Sequence, residues 1–319
     1  MTRTLASIDI GSHTARLLVA QNEGGSELLV PLARRRAYIH LAQGFAGSGN
    51  KVIQASAIDQ TLKVLEDFLD CIKGFDVQSV HAVATGVARQ ASNNEELLNR
   101  IYEHTGIRVR LISGAEEASL SAKGVLHALD IKGNPFLLFD LGGGSTEFLL
   151  DGNGVPMISS IPLGAVILTE EYIGSDPPEE EELLRLSRHI DEVLKELRLP
   201  TTKAIDHCVM VGTGGTVATL AAMLYRICLT EITPERINGL ILEKQQLETL
   251  FGNMKKLSIE QRLRLPGVGR GRAEVILAGC LAVIKILRYF RSPQFIVSLA
   301  DLLEGVLIDC IEGEENGER

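Results

Sequence analysis

Residues 136–150, FLLFDLGGGSTEFLL, break a sheet-forming run with an aspartate, three glycines, a serine and a threonine, then return to sheet. The apolar halves, Phe136 to Phe139 and Phe148 to Leu150, read as two strands. A plain hairpin needs only a short turn such as Asn-Gly or Asp-Gly. This one carries a carboxylate at its entrance (Asp140), hydroxyls at its exit (Ser145, Thr146) and a second carboxylate (Glu147). Glycine lacks the Cβ that keeps a ligand off the backbone, and consecutive N–H groups form an anion nest. The stretch therefore predicts a hairpin that holds phosphate and a metal ion. Standing alone, it would suit a flexible loop better.

It does not stand alone. Residues 5–20, LASIDIGSHTARLLVA, repeat the plan: strand, Asp9, Ile10, Gly11, a polar turn with Ser12 and Thr14, then strand. Asp9-Ile10-Gly11 parallels Asp140-Leu141-Gly142. A third glycine turn, in HCVMVGTGGTVATLAAM (207–223), runs from a strand into a helix. Its Gly212, Gly214, Gly215 and Thr216 fall where a helix N-terminus offers N–H groups to an anion.

Composition narrows the partners. A chain of 319 residues exceeds the usual single core, so two domains are expected, and alternating strands and helices favour an α/β class. Tryptophan is absent and aromatics make up 4%, which argues against a base-stacking platform. The net charge of −9 argues against general nucleic-acid or anionic-membrane binding. A polyanionic ligand would need a local cationic patch and a divalent metal. The five cysteines (Cys71, Cys208, Cys228, Cys280, Cys310) are scattered without a C-x-x-C, as reduced buried thiols would be. With no basic-apolar leader and no apolar run of spanning length, the sequence predicts a soluble, cytoplasmic protein.

Along the chain, ELLVPLARRRAYIHLAQGF (27–45) reads as two further strands and a loop ending near GFAGSGNK. Ser56 and Asp59 suggest a capping-box start to the next helix. GVARQASNNEELLNRIYEHTG reads as a short helix, a break at Asn93-Asn94 and a second helix closed by Gly106. The acidic run Glu179 to Glu182 reads as a solvated helix start. A last strand, FIVSL, precedes a terminal helix and a frayed tail, GEENGER. Asp9 and Asp140 lie about 130 residues apart, a normal domain length. A duplicated fold would set the two hairpins face to face across a cleft, where small-molecule sites concentrate.

The segments DIGSHTARLLV, ATGVARQAS, ISGAEEASL, FDLGGGSTEFLL, PLGAVILTE and GTGGTVATLAA occur in the order seen in exopolyphosphatases and guanosine pentaphosphate phosphohydrolases, which the chain resembles over nearly its whole length. The pairing of SG-x-EEA (Ser113 to Ala118) with D-x-GGGSTE (Asp140 to Glu147) is the most diagnostic part. The resemblance implies two ribonuclease-H-like domains of the actin, sugar kinase and heat-shock ATPase superfamily: residues 1–126, and residues 127–319, with helix 301–312 packing back on the first. It also implies a short form lacking the extra C-terminal helical domains of longer members.

The same resemblance assigns roles. Glu117 matches the catalytic base and Arg89 the active-site arginine. Asp140, Glu147 and Asp9 match metal-associated carboxylates for Mg²⁺. Gly11, Ser12, Thr14, Gly142, Gly143, Gly144, Ser145, Thr146, Gly212, Gly214, Gly215 and Thr216 match the phosphate loops. Three positions depart from the pattern: His13 where asparagine is usual, Leu303 for the arginine of the closing LREG, and Leu299 for an aspartate.

Read from the residues alone, Glu116 and Glu117 point about 100° apart on a helix, so one of them faces inward; the sequence leaves open which. Arg34, Arg35 and Arg36 are either an edge-strand guard or a landing strip for a polyanion. Arg262, Arg264, Arg270 and Arg272 read as a mostly solvated basic cluster that could line a channel. The implied activity is Mg²⁺-dependent removal of the terminal phosphate of polyphosphate or guanosine pentaphosphate, by a monomer or homodimer. The alternatives are an ATP-dependent kinase of the same superfamily and a non-catalytic alarmone- or polyphosphate-binding regulator.

Overall fold

Strands β1 (Thr2–Ile10) and β2 (Thr14–Glu23) form the first hairpin in a computed structural model of the chain, which describes residues 2–23, 29–45, 51–131, 133–152, 155–200 and 207–315. The elements that follow are β3 (Leu29–Tyr38), α1 (Ala55–Lys73), β4 (Ser79–Ala84), α2 (Val87–Gln90), α3 (Asn94–Thr105), β5 (Val109–Leu111) and α4 (Gly114–Ala128). The sheet order is β3-β2-β1-β4-β5. The first three strands pair antiparallel, and β4 and β5 add in parallel through helical crossovers. Amphipathic α1 buries Ile58, Leu62, Leu65, Phe68 and Ile72. Burying each such side chain contributes ~1.5–3 kcal/mol.

The second unit repeats the plan: β6 (Phe136–Leu141), β7 (Thr146–Asp151), β8 (Met157–Ile161), α5 (Ala165–Tyr172), α6 (Glu180–Leu194), β9 (Val209–Thr213), α7 (Gly215–Tyr225), α8 (Pro234–Ile237), β10 (Ile241–Glu243), α9 (Lys244–Met254), α10 (Ile259–Arg262), α11 (Arg270–Tyr289) and β11 (Gln294–Val297). Its order is β10-β11-β9-β6-β7-β8, again an antiparallel triplet extended by parallel strands, here β9 and β11, with β10 closing the edge antiparallel to β11. α11 is buried on almost every side, as expected of a helix that is apolar all round and sits in the middle of a core.

The final helix, α12 (Leu302–Glu315), leaves the second unit. The chain divides into Met1–His127 with Asp301–Arg319, and Ala128–Ala300. Leu303, Leu307, Ile308 and Ile311 of α12 pack with Leu5, Leu18, Ala20 and Leu29, while Leu302 and Val306 join Val83, Ile112 and Leu120. Gly124 and Gly305 let α4 and α12 meet at backbone distance, since a Cβ on either would strike the other segment's main chain. Each unit is thus a ribonuclease-H-like α/β domain. No helix among the described residues is long and apolar enough to cross a membrane.

Several local expectations change. Where two strands were expected after the first hairpin there is one, β3, because Leu29 to Tyr38 pairs with β2 along its length, with a register shift at Leu32. The tip of GFAGSGNK, residues 46–50, lies outside the described residues. α1 begins at Ala55 with Gln54 as N-cap and no side-chain cap, so Ser56 is inside the helix. α12 continues to Glu315, into the expected tail, whose last four residues lie outside the described set. Glu182 is a structural acceptor and not a solvated acid. The Ser175 hydroxyl, together with the N–H groups of Glu179, Gly174 and Ser175, holds its carboxyl down to about 2.

Candidate functional site

The two hairpins share one turn geometry. Gly11 N–H donates to Thr14 O at 3.0 Å, and Gly142 N–H donates to Ser145 O at 3.0 Å. The strands reach closer to the turn than their apolar content suggests, so Asp140 and Glu147 lie within the ladder, directly opposite one another. Asp9 holds the place of Asp140, and opposite it stands Arg16.

Both turn tips are held by the segment that follows. In the second unit, the Gly142 and Gly143 carbonyls accept from Ala165, Val166 and Ile167 N–H, the first turn of α5. Gly164 packs its backbone on Gly143 and Gly144, leaving no room for a Cβ. In the first, Ser12 O accepts from Ala42 N–H, and His13 O from Ile39 and His40 N–H. With the carbonyls engaged, the N–H groups of Gly143 and Gly144 meet no acceptor among the described residues.

The second hairpin concentrates acid. Glu147 is 2% exposed, and its Oε1 accepts from Ser145 Oγ and Ser160 Oγ, each at 2.8 Å. Asp140 is also buried, flanked by Thr213 on β9, whose buried Oγ1 has no hydrogen-bond partner among the described residues. Gly214, at φ +100°, passes close enough that a Cβ there would lie 3.1 Å from Asp140 Oδ1. Two hard carboxylates beside an unsatisfied hydroxyl suit Mg²⁺, which takes one or two protein carboxylates and fills its remaining positions with water and phosphate.

The first hairpin neutralises its acid. Arg16 donates to Asp9 Oδ2 at 2.9 Å through Nε and also pairs with Asp301. Burial pushes the Asp9 carboxyl above its ordinary range, against the pull of Arg16. Asp301 and Glu304 cap α12: Leu303 N–H donates to Asp301 Oδ1, and Asp301 N–H to Glu304 Oε2. Glu304 in turn pairs with Arg34. Leu303, the departure from LREG, is buried among apolar neighbours. His13 is buried too, edge-on to the rings of Tyr38 and His40.

The structure separates the two adjacent glutamates. Glu117 is 8% exposed and takes Arg89 Nη1 at 2.9 Å, while the same nitrogen donates to Ile112 O at 3.1 Å. Glu116 is half-buried and pairs with the exposed Arg110. Ser12 Oγ accepts from Val87 N–H at 3.0 Å, tying the first turn to the short helix that carries Arg89. Thr14 is buried at the start of β2.

Some expected phosphate contacts have other work. Gly212 lies inside β9, where only a hydrogen fits between the rings of Phe139 and Phe295. Thr146 Oγ1 donates to Leu163 O at 2.5 Å, and Thr216 is fully buried against Gly279. Gly214 and Gly215 open α7, so their N–H groups remain at a helix start. The arginine cluster divides in two: Arg264 and Arg270 are exposed as expected, whereas Arg262 is 1% exposed, donating to Ala273 O and pairing with Asp176, and Arg272 is buried with its guanidinium on Gly215. The sequence reading does not single out Arg16 or Ser160, and it takes Arg272 as part of a mostly solvated cluster. Arg16 was within reach, because the shared register puts it where Glu147 stands. Arg272 carries no local signal, since its partner is on a distant helix.

Residues 18–314 match the Ppx/GppA phosphatase family. The chain belongs to that family. It is 31% identical to exopolyphosphatase 2 of Mycobacterium tuberculosis over 318 residues, covering 95% of this chain and 97% of that one. It is 30% identical to a bifunctional 3-dehydroquinate synthase/phosphatase of Fusobacterium nucleatum over 97% of this chain, which spans only 47% of that protein. The crystal structure of the Aquifex aeolicus Ppx/GppA family member superposes with a TM-score of 0.80 at 33% identity, covering 98% of this chain and 99% of that one.

Proposed function

We propose that this Ppx/GppA family member is a cytoplasmic, Mg²⁺-dependent phosphohydrolase that removes the terminal phosphate of inorganic polyphosphate or guanosine pentaphosphate. The observation that carries this reading is Asp140 opposite Glu147, beside a glycine turn with N–H groups to spare. The likeness to a protein named as an exopolyphosphatase supports it.

Glu117 accepts the proton of the attacking water, its carboxylate fixed by Arg89. Arg89 brings positive charge beside the group being transferred. The N–H groups of the two hairpin turns and of the start of α7 receive phosphate oxygens. Asp140 and Glu147 would hold Mg²⁺, which when bound supplies neutralisation of phosphate charge. Ser145 and Ser160 orient Glu147 for that task. Asp9 is assigned differently from the other two acids, as the partner of Arg16.

Phosphate release from polyphosphate, guanosine pentaphosphate and ATP, each with and without Mg²⁺, tests the reading. The expected result is Mg²⁺-dependent release from one or both of the first two. Release from none, or phosphoryl transfer from ATP to an acceptor, would overturn it.

A further inference from the structure

Within the first unit a cysteine, a histidine and a serine form a relay that the proposed hydrolysis does not use. Cys310 Sγ on α12 lies 3.1 Å from His81 Nδ1 on β4, and His81 Nε2 lies 2.9 Å from Ser79 Oγ. A nucleophile within reach of a base, with the base oriented by a third group, is the arrangement that activates thiols. Cys310 is 5% exposed, whereas His81 and Ser79 are half-buried, so the sulfur lies one side chain below the surface. Lys123 engages the neighbouring acids Asp309 and Glu312, at 2.8 Å and 2.6 Å, offsetting part of the negative charge that would oppose a thiolate.

Cys280, Cys208 and Cys228 have other surroundings. Cys280 sits in an apolar core with the Leu247 carbonyl 3.8 Å away, and burial pushes its thiol up. Burial likewise pushes up the thiol of Cys208. Cys228 is exposed and serves as the internal comparison for reactivity.

We propose that Cys310 is a peroxide-reactive thiol, activated by His81. His81 Nδ1 takes the thiol proton, and the thiolate sulfur attacks one oxygen of hydrogen peroxide. The S–O bond forms as the O–O bond breaks. The leaving hydroxide takes the proton back from the imidazolium and departs as water. Sulfur is oxidised by two electrons to a sulfenic acid and the peroxide is reduced. The modified residue sits on the helix whose capping Asp301 holds Arg16, about 13 Å back along the axis at the helical rise. The site is independent of the phosphohydrolase reading.

The test exposes the full chain to hydrogen peroxide at pH 7, quenches with catalase, and unfolds the protein in the presence of a sulfenic acid trap. Peptide mass spectrometry then reads each cysteine. Cys310 should oxidise about tenfold faster than Cys228, because the thiolate is the reactive form. His81→Gln, which keeps a polar side chain but takes up no proton, should bring Cys310 down to or below the rate of Cys228. The wild-type comparison stands even if that variant folds poorly. Cys310 reacting no faster than Cys228 in the wild type, or equally fast in folded His81→Gln, would overturn the proposal.

Discussion

One row of residues crosses each sheet at the hairpin. In the first unit it reads Arg36, Arg16, Asp9, Val83; in the second, Ser160, Glu147, Asp140, Thr213. The backbone is the same, down to the 3.0 Å bond that closes each turn. The charge is opposite. In the first unit an arginine meets the aspartate and ties it to the cap of α12; in the second, a glutamate meets it and two hydroxyls steady that glutamate. The comparison teaches that a duplicated hairpin divided its labour through a single cross-strand position, residue 16 or 147. The first copy is an anchor, and the second is the hairpin we propose as the cation site.

The largest effect should come from outside the row. Glu117→Gln removes the proposed base without changing its size, so phosphate release should fall ~10²- to 10⁴-fold. Glu116→Gln should release phosphate at near the normal rate, as its partner is the exposed Arg110. Steady-state rates for the two variants decide between these neighbours, and equal losses would break the assignment.

The row itself should answer in opposite senses to loss of charge. Arg16→Met leaves Asp9 and Asp301 buried together, and breaking a buried pair in this way costs about 3–5 kcal/mol. Glu147→Gln at the equivalent position removes one of two adjacent acids while an amide oxygen still accepts from the serines. Its stability should stay within ~1 kcal/mol of normal, or rise. Denaturant unfolding measures both, and a large loss in Glu147→Gln would erase the contrast.

A smaller effect is set by pH. Glu182, held at about 2 by Ser175 and backbone N–H groups, adds stability above its ordinary value of 4.5, which is lost as pH falls toward about 2. Asp9 runs the other way: its carboxyl is raised by burial, so its contribution is fully present in acid and is lost as pH rises from 3.8 through the folded value. Acid should therefore weaken the second unit more than the first, as read by hydrogen exchange in each. Glu182→Gln should flatten the acid slope of the second unit.

Much of this was legible from sequence, because glycine turns and helix starts leave local marks. Asp-x-Gly in two places predicted two hairpins, and Gly106 closed α3 with a left-handed residue as expected. Contacts that depend on packing were not legible. Arg262 looks like a surface charge until Asp176 and Ala273 O are brought to it, and Gly212 looks like a loop glycine until two phenylalanine rings close on it. The choice of Glu117 over Glu116 depends on which side of α4 meets Arg89, and the two adjacent acids alone do not encode it. The single strand β3 was read as two because its exposed arginines obscure the alternation, although Arg34 and Arg36 each find a partner.

The central claim is that the second hairpin, and not the first, takes the metal. Its most direct test is the Mg²⁺ dependence of phosphate release in Asp140→Asn and Asp9→Asn, measured side by side. A neutral amide is a poor ligand for a hard cation, so Asp140→Asn should need about 10- to 100-fold more Mg²⁺ for half-maximal rate. Asp9→Asn should keep the midpoint of the unaltered protein, whatever its effect on rate or stability. Equal shifts in the two variants, or a shift in Asp9→Asn alone, would contradict the account.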